Sequence, residues 1–182
     1  NRVSTVQALG GTGGLKIGAD FLKKLNPAAK VLISDPSWEN HRALFSSAGF
    51  TVETYAYYDS ASRGVNFQGM LDSLNAAAPG TVIVLHACCH NPTGYDITPE
   101  QWDKVVDAVK ARELTAFLDM AYQGFGHGIA EDGAVISKFV KAGLNFLVAT
   151  SFSKSFSLYG ERVGALSVLC QSADEAARVL SQ

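Results

Sequence analysis

Apolar and polar positions along this chain fall into two alternating kinds of block. Short β-rich runs predict strands at Lys30 to Ser34 (KVLIS), Phe50 to Thr54, Thr81 to His86 (TVIVLH), Thr115 to Asp119 (TAFLD), Asn145 to Thr150 (NFLVAT) and Val163 to Leu169, of which Thr81 to His86 is nearly continuously apolar. A run without polar alternation suits a strand covered on both faces, as in a parallel sheet. Longer stretches of helical character lie between them, at Thr12 to Lys24, Glu39 to Ala48, Asn66 to Ala77, about Pro99 to Arg112, Asp132 to Lys141, and Ala173 to Leu180. Several ends carry their own signals. Asn66 is an N-cap residue. Thr98-Pro99-Glu100-Gln101 reads as a capping box with proline at the first helical position. Gly49 and Gly143 sit where helices should stop.

Repeated strand–helix alternation predicts an α/β fold, a mostly parallel sheet flanked by helices. Several unrelated chemistries share that architecture, so the fold alone does not name the function. A chain of 182 residues is long enough for one domain with a sizeable core. Net charge is −2, with no basic surplus to suggest nucleic acid. No apolar run reaches the ~18 residues of a membrane span. Of the three cysteines, Cys88 and Cys89 are adjacent. Neighbouring residues on a strand point to opposite faces, so the pair reads as a poor disulfide or metal clamp. Such cysteine usage suits a reducing cytoplasm. The chain opens without methionine and stops at Ser181-Gln182 in a helical stretch, which reads as a segment of a longer protein.

Five stretches carry candidate chemistry. Gly10-Gly11-Thr12-Gly13-Gly14 stands just before a predicted helix. Glycines there leave backbone N–H groups free for an anion, and the helix start adds its positive dipole end. A dinucleotide fingerprint starting at Gly11 would need glycine at position 16, which is Lys16; a P-loop would need Gly-Lys-Ser/Thr, which is absent. A generic phosphate cradle or a plain glycine-rich helix start remains. Asp35-Pro36-Ser37-Trp38-Glu39-Asn40-His41 follows a strand, where open α/β sheets bind ligands, and Trp38 could lie against a flat ring or cap the core.

His86-Ala87-Cys88-Cys89-His90-Asn91-Pro92-Thr93-Gly94 follows the most apolar strand. Pro92 holds Asn91 in an extended or turn conformation, presenting its amide at the strand end. Zinc is a weak reading, because His86 and His90 are the only suitably spaced pair. Asp119 closes a strand and needs a cationic partner or strong donors, unless it only caps a helix. In Ser151-Phe152-Ser153-Lys154-Ser155-Phe156-Ser157-Leu158-Tyr159-Gly160-Glu161-Arg162, Lys154 follows a buried strand. A desolvated lysine serves as an imine-forming nucleophile, and Arg162 offers a fork suited to phosphate. Together these stretches meet the needs of a flat, phosphorylated, cationic-ring aldehyde.

SDPSWENH, CCHNPTG, FLDMAYQGF and SFSKSFSLYGERVG resemble the aspartate and aromatic-amino-acid aminotransferases, which are fold-type-I enzymes of pyridoxal 5'-phosphate. The wording of these segments is most similar to bacterial aromatic (tyrosine) aminotransferases. The resemblance implies a transaminase of amino-acid metabolism. It would move an amino group between an aromatic or acidic L-amino acid and a 2-oxo acid such as 2-oxoglutarate, by a ping-pong route. Lys154 would hold the cofactor and shuttle the α-proton. Asp119 would pair with the ring nitrogen, Tyr122 and Asn91 with the ring oxygen, and Trp38 would stack on the ring. Gly11, Thr12, Ser151, Ser153 and Arg162 would face the phosphate, while His41 and His86 would back Asp119. Gly10 departs from many aspartate-type relatives, which carry serine there. The resemblance further implies that residues 1–182 are an incomplete cofactor-binding large domain. An N-terminal arm and a C-terminal small domain with the substrate-carboxylate arginine would lie outside it, and the full protein would be a cytoplasmic homodimer. The segment by itself is then expected to be inactive. The same core motifs would also serve a lyase, a decarboxylase or a cofactor-binding regulator domain.

Overall fold

The computed structural model describes residues 2–182. In chain order the elements are β1 (Val3–Leu9), α1 (Gly10–Leu25), β2 (Lys30–Asp35), α2 (Glu39–Ser47), β3 (Thr51–Ala56), β4 (Tyr58–Asp59), β5 (Gly64–Val65), α3 (Phe67–Ala76), β6 (Val82–His86), α4 (Pro99–Ala111), β7 (Thr115–Met120), α5 (Ile129–Lys141), β8 (Phe146–Ser151), β9 (Val163–Leu169) and α6 (Ala173–Leu180). Seven strands form one sheet in the order β1-β9-β8-β7-β6-β2-β3, and β4 pairs with β5 in a small hairpin. The pairs β3–β2, β2–β6, β6–β7 and β7–β8 are parallel. Strand β9 runs antiparallel to both β8 and β1.

Apolar side chains leave both faces of the central strands. On β6, Ile83 and Leu85 enter one core with Leu74, Val105 and Phe139, while Val82 and Val84 enter the other with Leu15, Val31 and Phe45. Helices α3, α4 and α5 thus cover one face, and α1 and α2 the other. This arrangement explains the unbroken apolar runs. The capping box of α4 is present: Thr98 N–H donates to Gln101 Oε1 at 2.8 Å, and Gln101 N–H donates to Thr98 Oγ1 at 3.3 Å. Asn66 Oδ1 accepts from Gly69 N–H at 3.0 Å and caps α3.

Strand β1 and the β4–β5 hairpin lie outside the elements predicted above. The inward positions of β1 are Ser4, Val6 and Ala8, whose apolar signal is weak, while Val3 and Leu9 face outward. Read by hydrophobicity alone, Val3, Val6 and Leu9 have helical rather than strand spacing. Helix α1 starts at Gly10, so the glycine run is its first turn rather than a loop before it. Helix α5 begins at Ile129, three residues earlier than the apolar pattern suggested, after Gly128.

Glycines set how closely α1 approaches the sheet. A Cβ on Gly18 would fall 2.4 Å from the Phe117 ring, and one on Gly14 would fall 2.9 Å from the Ala165 carbonyl oxygen. Gly164 is tighter still: its Cβ would lie 2.3 Å from the Gly10 carbonyl carbon and 2.8 Å from Gly11 N, both backbone atoms with no rotamer to adjust. Gly164→Ala is therefore expected to lower unfolding stability by about 1–3 kcal/mol or more. Urea unfolding would measure the loss, and an unchanged midpoint would contradict this packing.

Candidate functional site

Strand direction decides what meets at one edge of the sheet. The carboxyl ends of the parallel strands β2, β6, β7 and β8 deliver Trp38, His86, Asp119 and Ser151 to that edge. Strand β1 runs the same way and hands the chain to the glycine turn of α1. Because β9 runs the opposite way, its amino end brings Arg162, just before Val163, to the same place. Ligands of open α/β sheets sit at such an edge.

A cavity of about 370 Å³ opens there. Ten of the expected residues line it: Gly11, Thr12, Trp38, Asn91, Asp119, Tyr122, Ser151, Ser153, Lys154 and Arg162. His86 also reaches it, whereas His41 is fully buried behind. Leu15, Cys88, Cys89, Ala121 and Tyr159 line it as well and were given no role from sequence. Ala121 could have been suspected, since it lies between two candidates. Tyr159 carried no signal beyond its place in the lysine-containing stretch.

The anion side comes first. No side chain caps the start of α1, so its first N–H groups keep their capacity for a ligand. Arg162, at φ +54°, donates from Nη1 to Ser153 Oγ at 3.2 Å and to the Tyr159 carbonyl at 3.1 Å. Gly10 has φ +71°, and a Cβ there would lie 2.5 Å from Arg162 Nη2. A side chain at position 10 would thus have to share space with the guanidinium. Ser151 Oγ accepts from Ser153 N–H at 3.3 Å, folding the turn that leads to Lys154. Lys154 Nζ stands 4.8 Å from the centre of the Tyr122 ring and 5.5 Å from that of Tyr159.

Asp119 is buried, and its Oδ2 lies 2.7 Å from His41 Nε2. A chain of hydrogen bonds sets the tautomers behind it. Asn91 N–H donates to His86 Nδ1 at 3.2 Å, so the proton of a neutral His86 is on Nε2. That nitrogen is 3.3 Å from His41 Nδ1, which also accepts from Ser37 Oγ at 2.9 Å. The proton of His41 is then on Nε2 and is donated to Asp119. Trp38 meets His41 edge-on, with ring centres 5.3 Å apart.

Burial drives His86 down to about 3, with neighbouring His41 and His90 adding to the effect against the opposing pull of Asp119. His90 is driven down to about 4, mainly by burial and then by His41. Its ring is stacked on Tyr57 at 3.9 Å. Both histidines are therefore neutral in the fold but take up protons when unfolded. Stability is full above the unfolded histidine value of ~6.5 and is lost as pH falls toward 3–4. Each proton costs about 1.4 kcal/mol per pH unit, so two histidines give about 2.7 kcal/mol per unit below that value. Urea titrations from pH 6.5 downward should start at about half this slope and approach it near pH 5, and His90→Gln should roughly halve it. A flat profile would count against neutral burial.

The cysteine pair lies outside the strand alternation expected of it. Cys88 and Cys89 lie beyond the end of β6, and Cys89 adopts φ +52°. That left-handed turn replaces strand alternation, and both sulfurs come within 4.8 Å of each other and of an Asp132 carboxylate oxygen. The four residues of the weak zinc reading do not gather into one ligand set among the described residues: His86 groups with His41 and Asp119 instead. His90 bonds Ser34 Oγ at 2.9 Å and Thr93 Oγ1 at 2.8 Å.

The family profile described as aminotransferase class I and II matches residues 1–182. The chain belongs to this family. It is 63% identical over 181 residues to an aspartate aminotransferase of Pseudomonas aeruginosa, covering all of this chain and 46% of that protein. It is 56% identical, with the same coverage, to an aromatic-amino-acid aminotransferase of Escherichia coli. Among solved structures, an aromatic-amino-acid aminotransferase from Burkholderia pseudomallei, covalently bound to pyridoxal phosphate, superposes with a TM-score of 0.98 at 67% identity. That match covers 99% of this chain and 45% of the other. The chain thus spans a little under half the length of these class I and II aminotransferases. Among the described residues, no helix is long and apolar enough to cross a membrane.

Proposed function

We propose that this chain is the cofactor-binding part of a pyridoxal 5'-phosphate-dependent aminotransferase. The reaction would move an amino group between an aromatic or acidic L-amino acid and a 2-oxo acid such as 2-oxoglutarate, in ping-pong fashion. One observation carries the reading: a single cavity holds a lone lysine, a buried carboxylate backed by imidazoles, and an anion cradle with Arg162. The donor set fits the cofactor group by group. The uncapped start of α1, Thr12, Ser151, Ser153 and Arg162 would hold the phosphate. Trp38 would lie on the ring face, Asn91 and Tyr122 would bond the ring oxygen, and Asp119 would take the ring nitrogen. The cavity is also within the size range of small-molecule sites.

When bound, the cofactor supplies an electron sink for the bond broken at the substrate's α-carbon. The remaining chemistry belongs to the protein. Lys154 Nζ is the atom that would bond the aldehyde, and as a free amine it is the base at the α-carbon. Asp119 would hold a proton at the ring nitrogen through charge-assisted hydrogen bonding. His41 N–H steadies the carboxylate, and the neutral His86 orients His41. Tyr122 and Tyr159 crowd Lys154 and limit its range.

Residues 1–182 would form the large domain, completed by an N-terminal arm, a C-terminal small domain and a second subunit. The share of the relatives' length that is matched supports this. The three free cysteines and the bacterial relatives favour the cytoplasm. Borohydride reduction of the full-length protein after incubation with pyridoxal phosphate tests the assignment. A pyridoxyl adduct confined to Lys154 is expected. A folded protein without an adduct, or with one scattered over surface lysines, would overturn it.

A further inference from the structure

The mechanism leaves one pair of nucleophiles in the cavity wall unused. Cys88 and Cys89 both line the cavity, both are free, and their sulfurs lie within 4.8 Å of each other. Cys88 Sγ is 3.8 Å from Met120 Sδ, and Cys89 Sγ is 3.9 Å from the Tyr122 carbonyl. Asp96 holds the turn in place, accepting from Cys89 N–H at 2.7 Å and from His90 N–H at 2.8 Å. The third member of the cluster, Asp132, is already occupied. Its carboxylate accepts from the N–H groups of Gly124, Gly126 and His127 at 2.8, 3.0 and 2.9 Å. Burial works against its ionised form, and these backbone donors outweigh it and hold the carboxyl low. Two sulfurs therefore remain as the available ligands, too few for a closed four-ligand structural zinc site.

We propose that Cys88 and Cys89 form a dithiol site that captures trivalent mono-organoarsenicals and so closes the cavity to pyridoxal phosphate. The closure rests on the cofactor reading above; the capture does not. A mono-organoarsenical has two exchangeable positions, matching two sulfurs. In phenylarsine oxide, hydrated as the phenylarsonous acid, each As–OH exchanges with one S–H. Two As–S bonds form, two waters leave, and arsenic stays trivalent, so no oxidant or reductant is needed. Burial pushes both thiols up, with Cys89 adding to the effect on Cys88 and Asp96 to that on Cys89. Thiols held in this form react slowly as thiolate nucleophiles. Exchange with the arsenical ends as a neutral product and does not require two buried thiolates. The Cys89 sulfur adjoins the Tyr122 backbone, so a phenylarsenic group there would project beside Tyr122 and Asn91, where the cofactor ring would lie.

The test uses the folded full-length protein, one equivalent of phenylarsine oxide, intact mass and peptide mapping. The expected result is one phenylarsenic per chain with two hydrogens lost, on the peptide holding Cys88 and Cys89. It should resist millimolar glutathione and be removed by 2,3-dimercaptopropanol. Cys88→Ser and Cys89→Ser should each abolish the glutathione-resistant adduct, and Cys170→Ser should retain it. Borohydride trapping of pyridoxal phosphate at Lys154 should fall at least tenfold in the adduct and recover with the dithiol. An adduct that survives Cys89→Ser, maps elsewhere or yields to glutathione overturns the capture site. Unchanged trapping overturns the closure. If untreated protein traps no pyridoxal phosphate, the cofactor reading fails, and the mapping still decides the dithiol site.

Discussion

Lys154→Ala is expected to lower turnover by roughly four orders of magnitude or more. Lys154 is the only lysine lining the cavity among the described residues, so no neighbouring amine can take its place. Proton transfer by a positioned side chain contributes about 10²–10⁴-fold, and loss of the covalent nucleophile adds to that. The cradle formed by α1 and Arg162 is untouched, so the variant should still bind pyridoxal phosphate without a bond to it. Steady-state rates with tyrosine or aspartate and 2-oxoglutarate, together with equilibrium dialysis of the cofactor, separate the two effects. Activity within tenfold of the parent would remove Lys154 from its assigned role. Loss of cofactor binding with loss of fold would point to packing of the Tyr122–Lys154–Tyr159 cluster instead.

Asp119→Asn is the second large effect, expected at about 10²–10⁴-fold in turnover, the range seen when a positioned proton-transfer or electrostatic group is lost. The amide keeps the size of the carboxylate and can still accept from His41 Nε2, which in the parent lies 2.7 Å away. What disappears is the negative charge that would face a cationic ring nitrogen in the proposed site. Binding of the cofactor should weaken less than turnover, because the phosphate contacts remain. His41→Asn should fall on the same axis but cost only about tenfold, since an imidazole one bond away orients the carboxylate rather than replacing it. Equal losses for the two variants would mean that the imidazole chain, not the charge, is the decisive element.

Local signals marked the stretches that carry the candidate site, while the role of each residue within them came from the family resemblance. Most of its residues stand within a few positions of a strand end, and the ends of the predicted strands are marked by a change from apolar to polar sequence. Asp119 closes TAFLD, His86 closes TVIVLH, and Ser151 opens the turn to Lys154. The capping box at Thr98 and the Asn66 cap are equally local, because partners three residues apart must meet at a helix start. Strand β1 was not legible, because its inward face offers Ser4 and Ala8, and only pairing with β9 makes it a strand.

Apart from β1 and the β4–β5 hairpin, the sequence by itself determined the strand–helix order, together with the caps at Asn66 and Thr98 and the set of chemically capable side chains, since these depend on neighbours within a turn or two. Only the tertiary structure decided the reversed direction of β9, and that reversal carries Arg162 to the same edge as Lys154. It also decided the 2.3 Å closeness at Gly164 and the path from Asn91 through His86 and His41 to Asp119. The convergence of Cys88 and Cys89 belongs with these. Strand periodicity sends adjacent side chains apart, but the chain has left the strand, and a left-handed residue held by Asp96 brings the sulfurs together. Such features join residues tens of positions apart or depend on one unusual backbone angle, and no local pattern encodes either.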